Sequence, residues 1–213
     1  MRNKLLQLFN ILFVILTFHI SLNAQDFSSF ESSLPTKNVS DQKKSREGHK
    51  YKTILLKSKY RGEQSKGVLY LDNTQRKKYQ VQVSQGLITH LDGTPVNADV
   101  ILPNRTLKLP NPTASIKDRK RLGWGIFVLD QFGQLYFSHR SERGVFHHSS
   151  FLAGGAVACA GEMIVENGRV RYVNNQSGHY QPPPAALEQL LDYFTQGGMQ
   201  TDQIEVARFG VDF

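Results

Sequence analysis

The chain has 213 residues, 39% hydrophobic and 21% charged, with 26 Lys+Arg against 18 Asp+Glu and a formal charge of +8. The apolar fraction, with 13 Phe, 8 Tyr and 1 Trp, excludes a wholly disordered chain. One cysteine excludes an internal disulfide framework, and no Cys/His cluster has zinc-finger spacing.

Residues 1–24 read as a secretory signal peptide. Arg2 and Lys4 form a positive start, Leu5 to Ile20 is nearly all apolar, and Ser21-Leu22-Asn23-Ala24 offers a cleavage point before Gln25. The run is shorter than the roughly 20 residues of a spanning helix, and Gln7, Asn10 and His19 interrupt it. No stable membrane span is therefore expected after cleavage. An exported protein, periplasmic or secreted, is. Cleavage removes two cations and no acid, which leaves +6. The basic residues come in scattered runs such as Arg76-Lys77-Lys78 and Lys117 to Arg121 without interleaved aromatic rings. Specific nucleic-acid binding is not expected from such a pattern.

Residues 25–48 form a polar leader, and residues 49–213 read as one α+β domain. Strands are expected at 51–58 and 67–71. Tyr79, Val81 and Val83 alternate with Gln80, Gln82 and Ser84, a half-buried strand that Gln85-Gly86 turns into 87–91. Residues 102–118, with three prolines, read as a long loop. Residues 126–129 and 134–137 flank a four-residue hairpin loop. Asn167-Gly168 is a strong hairpin turn, which places Glu166 opposite Arg169 and Met163 opposite Tyr172. In that register Met163, Val165, Val170 and Tyr172 share the core face, and Glu162 lies on the polar face diagonal to Arg171. Leu187, Leu190, Leu191 and Phe194 predict an amphipathic helix over 184–196, closed by Gly197-Gly198. Residues 204–209 alternate as a last strand. The expected fold is an antiparallel-rich sheet built from hairpins with one clear C-terminal helix.

Chemistry concentrates in two segments. Phe146 to Gly155 reads FHHSSFLAGG, and Ser177 to Tyr180 reads SGHY. The candidate catalytic residues are His148, His179 and Tyr180. The candidate binding residues are Ser149, Ser150, Gly154, Gly155, Ser177 and Gly178. On an extended strand His147 and His148 would face opposite ways, and His148 and Ser150 would stand about 6.6 Å apart. That is too far for a nucleophile–base pair. The plainer alternative is structural, with glycines permitting close backbone approach, serines capping backbone groups and a hydrogen-bonded core histidine. Cys159, between alanines, reads as a small core residue. His147, His148, His179 and Glu162 match no metal-ligand motif, and no phosphate loop is present, so no metal is assigned and the cofactor stays unknown.

The runs HSSFLAGG and SGHY, with Ile126 to Leu129, Leu135-Tyr136, Ala160-Gly161 and Val165 to Gly168, resemble the core domain of the plant IQ-motif calmodulin-binding protein family. They also resemble bacterial domains of unknown activity that share the pattern, some at the ends of toxin-like proteins. The resemblance covers about residues 67–200 and implies a shared fold. It implies no calmodulin binding here. That family uses an IQ segment outside this core, and Ile116-Lys117-Asp118-Arg119 is not one. Glu162 stands where the plant proteins carry a basic residue. Two functional readings follow. One is an exported binding or interaction module whose ligand is an unknown protein or small molecule. The other is an effector-like enzyme acting on a nucleotide-like or glycosidic substrate, with His148 or His179 as acid/base.

Overall fold

In this computed structural model the described residues are 51–102 and 114–210. The expected signal peptide and leader, and residues 103–113 of the expected loop, lie outside them.

The strands are β1 (Gln80–Ser84), β2 (Leu87–His90), β3 (Trp124–Leu129), β4 (Leu135–Ser138), β5 (Cys159–Glu166), β6 (Arg169–Asn174) and β7 (Glu205–Ala207). They form one sheet in the order β2-β1-β4-β3-β5-β6-β7. All neighbours are antiparallel except β6 and β7, which run parallel. The sheet is therefore mixed. The parallel pair follows from its connection, because a strand can return in the same direction only through a long crossover. Here helix α4 (Pro184–Gln196) supplies it. Three shorter helices precede it: α1 (Asn73–Arg76), α2 (Ile116–Arg121) and α3 (His148–Phe151). Helix α2 occupies part of the segment expected to be loop; the Ser115 hydroxyl caps it by accepting the Asp118 N–H. None of the described helices is long and apolar enough to cross a membrane.

Both faces of the sheet are covered. Every residue of β3 is buried, which explains the unbroken apolar run Ile126 to Leu129. One face packs Phe127, Leu129, Met163 and Val165 against Leu187, Leu190 and Phe194 of α4. The other packs Ile126, Val128 and Ile164 against Phe146, Phe151 and Tyr180. Residues 54–58 and 67–71 belong to this second cover, Tyr51 packs against the helix-covered face, and none of these segments is a strand of the sheet. Ile54 makes a single bridge to Val157, residues 58–60 form a 3₁₀ turn, and the Leu69 and Leu71 N–H groups donate to Val145 and Ser150. Leu56, Val68 and Leu71 are buried as a lid over the sheet rather than as part of it, while Leu55 stays exposed.

The sheet curls into a half-barrel. The Ile88 N–H of β2 donates to the Gly168 carbonyl at 2.7 Å, joining β2 to the far β5–β6 turn. That turn has Asn167 and Gly168 both at positive φ, 44° and 77°, as a two-residue hairpin requires. Beyond it the register departs from simple alternation. Glu166 pairs with Arg169 and Val165 with Val170, but a bulge then shifts Ile164 onto Tyr172 and Met163 onto Val173. Arg171 is the extra residue. One inserted residue moves everything after it to the opposite face. Val173 thus joins Met163, Val165 and Val170 on the helix-covered face, and Tyr172 moves to the other. Arg171 pairs with Glu166 at 3.3 Å, and Glu162 accepts a hydrogen bond from the Asn174 amide instead of forming the expected surface pair. Burial raises the Glu162 carboxyl above its ordinary value.

Candidate functional site

The FHHSSFLAGG segment is not extended. Its centre is the one-turn helix α3, entered from an extended His147 with φ −132°. The Ser150 hydroxyl accepts the His147 N–H at 3.0 Å and so caps the turn. The chain then reverses through Ala153 and Gly154 at positive φ, and the Gly154 N–H donates to the Ser149 carbonyl at 2.8 Å. A Cβ on Gly154 would stand 3.0 Å from Tyr70 Oη, and one on Gly155 would stand 2.9 Å from the Leu152 carbonyl oxygen. Gly154 thus makes room for the Tyr70 and Leu56 side chains and takes a positive φ, and Gly155 admits the Leu152 carbonyl.

This turn separates the two adjacent histidines. His148 is buried, and its Nε2–H donates to the Gly161 carbonyl at 2.9 Å, an assignment that follows from the carbonyl being an acceptor only. Burial holds its pKa down to about 4, and the neighbouring His179 and His147 add to the effect. His148 is therefore neutral near pH 7. His147 lies the other way, half-buried, with its Nε2 accepting the Gly144 N–H at 2.9 Å. Burial, then His179, lowers its pKa too. Neither serine is activated by a histidine. Ser150 Oγ is committed to its cap, and Ser149 Oγ is buried with no hydrogen-bond partner.

The SGHY segment is a tight turn in which the Gln181 N–H donates to the Ser177 carbonyl at 2.7 Å. Ser177 is buried and Gly178 is exposed. Tyr180 is wholly buried, and its hydroxyl donates to the Gly155 carbonyl at 2.7 Å, pinning the two motifs together. Burial pushes the Tyr180 phenol up, with Tyr70 and Glu63 contributing. His179 sits at the rim. Its ring lies between Tyr60, with centroids 4.3 Å apart, and His147, 4.5 Å apart. Its Nε2–H donates to Glu63 Oε1 at 3.1 Å.

Glu63, Tyr60 and Tyr70 complete the cluster, and sequence reasoning missed all three. Nε2 of His179 lies 3.1 Å from both carboxylate oxygens, yet its single N–H satisfies only one. Glu63 Oε2 is buried and, beyond that ion-pair contact, accepts no hydrogen bond. Tyr70 Oη is also buried without a hydrogen-bond partner, and its pKa is raised by burial and then by Glu63. Four buried side-chain polar atoms lack a hydrogen-bond partner among the described residues, and three of them belong to Glu63, Tyr70 and Ser149. Buried polar groups are ordinarily satisfied, so this concentration needs an explanation. The arrangement offers carboxylate and hydroxyl groups beside a stack of three rings. It does not offer a metal centre, since no group of three or more His, Cys, Asp or Glu among the described residues is placed to hold a metal ion. Cys159 is fully buried in the core, with its thiol pushed up by burial.

A protein-family model described as the IQ motif-containing protein middle domain matches residues 75–187, more than half of the chain. The match includes the HSSFLAGG and SGHY segments and leaves out Glu63 and Tyr70. Among curated proteins, the chain is 32% identical over 145 residues to the IQ domain-containing protein IQM3 of Arabidopsis thaliana, covering 68% of this chain and 28% of that protein. It is 31% identical over 144 residues to the IQ domain-containing protein IQM2 of the same plant, covering 68% of this chain and 21% of that one. The chain thus spans about a quarter of the length of these relatives. No solved structure matches it. On the family-model match, and on the same motif residues that build the cluster, the chain belongs to the IQ motif-containing protein family through its middle domain.

Proposed function

We propose that this chain is an exported binding module whose site is the polar notch of Glu63, Tyr70 and Ser149 beside the Tyr60–His179–His147 stack. The observation that carries the reading is that three of the four unpartnered buried polar atoms among the described residues belong to Glu63, Tyr70 and Ser149, with Tyr70 acted on by Glu63 and lying over Gly154, whose N–H bonds the Ser149 carbonyl. A carboxylate oxygen and two hydroxyls suit a ligand rich in hydroxyl or amine donors, such as a sugar or the ribose of a nucleoside. Ring faces at the rim suit its apolar side. His179 acts here as a positioning residue, holding Glu63 in place.

The support for an acid–base enzyme is weaker. His148 is neutral, its Nε2–H is tied to Gly161, and Tyr180 is tied to Gly155. The proposal combines middle-domain residues with Tyr60, Glu63 and Tyr70 that precede the matched span, and carries over nothing from the remaining length of the plant relatives. A thermal-shift screen of sugars, nucleosides, nucleotides and NAD tests it. A hit is expected to raise the melting temperature by mass action in wild type, and to lose its effect in Glu63→Gln and His179→Ala. A hit that keeps its effect in both variants would place the ligand elsewhere. Export itself is tested by the mass of the mature chain, expected to begin close to Gln25.

A further inference from the structure

A second cluster of hydrogen-bond donors lies where the curl of the sheet closes. The β1–β2 turn meets the end of α4, with the Gly86 N–H donating to the Gly197 carbonyl at 3.1 Å, and β2 meets the β5–β6 turn through Ile88 and Gly168. Between them runs a cleft of about 270 Å³. Its polar walls are Gln85, Arg169, Arg171, Gln200 and Gln203, and its floor includes the buried Met199. It shares no residue with the Glu63–His179 cluster.

The only charged side chains lining it are the two arginines. Arg169 is exposed, and its side chain has no hydrogen bond or ion pair among the described residues. Arg171, the bulge residue, faces Glu166 through Nε at 3.3 Å, and its terminal nitrogens make no hydrogen bond among the described residues. The Gln203 amide donates to Gln200 Oε1, so the Gln200 amide nitrogen remains available. No carboxylate lines the cleft. Two guanidinium forks with amides beside them match the geometry of a phosphate or carboxylate group, which accepts paired N–H bonds from arginine. The volume suits a compact anion rather than a polymer.

We infer that this cleft binds a small anion through its phosphate or carboxylate group, held by Arg169 and Arg171. The inference goes beyond the proposed function and stands apart from it. The test is calorimetric titration of the full chain with inorganic phosphate, pyrophosphate and citrate at matched ionic strength, so that screening is constant. Wild type is expected to bind at least one of them saturably. Arg169→Gln and Arg171→Gln are each expected to weaken that binding about tenfold or more, the loss of a charge-assisted bond. Arg143→Gln, a change at an exposed arginine outside the cleft, is expected to leave it unchanged. Arg169→Gln breaks no contact, so its melting temperature is expected to match wild type. The inference is overturned if none of the three anions saturates, or if Arg143→Gln weakens binding as much as Arg169→Gln.

Discussion

Replacing His148 with Gln separates its role as a buried neutral base from any role as a catalyst. His148 is 8% exposed and donates Nε2–H to Gly161. Its pKa falls from 6.5 in the unfolded chain to about 4 in the folded one. Between those values the unfolded chain binds more protons than the folded one, so stability rises with pH. The contribution is complete above about 6.5 and is lost as pH falls toward 4. At about 1.4 kcal/mol per pH decade, the two decades from 6.5 to 4.5 amount to about 2–3 kcal/mol. A Gln at this position keeps an N–H for Gly161 and has no proton to titrate. Burial of His147 and His139 acts in the same direction as His148, and the raised carboxyls of Asp130 and Glu162 act in the opposite one. These groups are common to both proteins and cancel in the comparison. Urea unfolding at pH 7 and pH 4.5 is expected to show wild type losing about 2–3 kcal/mol more than His148→Gln. Parallel pH profiles for the two proteins would refute the reasoning.

Val165 is fully buried on the helix-covered face, so Val165→Asp is expected to cost about 3 kcal/mol or more and to unfold the domain on heating at lower temperature. An unchanged melting temperature would contradict the β5–β6 register. Tyr180→Phe leaves the Gly155 carbonyl without its hydroxyl donor and is expected to cost about 1–3 kcal/mol in urea unfolding, with the secondary structure retained.

Local patterns in the sequence carried the elements that depend on local patterns. The alternation in 80–84 is the strand β1, and Asn167-Gly168 is the turn its residue types require. The errors share a cause. The aliphatic segments 51–58 and 67–71 have strand-like composition, but their burial comes from lying over a sheet, which no period within them records. The bulge at Arg171 depends on how β5 twists against β6, and the parallel course of β7 depends on its distant partner. At the site, the motif residues were legible as a cluster of chemistry. Their arrangement was not, because the Ser150 cap turns an apparent strand into helix α3. Glu63 meets His179 across 116 positions of sequence, so nothing near either residue signals the pair.

The central claim is that Glu63, Tyr70 and Ser149 are kept polar for a ligand and not for the fold. Tyr70→Phe and Ser149→Ala each remove a buried hydroxyl that makes no hydrogen bond. Neither change breaks a bond in the free protein, and each relieves a desolvation cost of about 1–3 kcal/mol, toward the lower end for the half-buried Tyr70. Urea unfolding of both variants without ligand is the most direct test. The expected result is stability equal to or above that of wild type. A loss of about 1 kcal/mol or more in both variants would show that the hydroxyls hold the fold together, and the notch would then be structure and not a site.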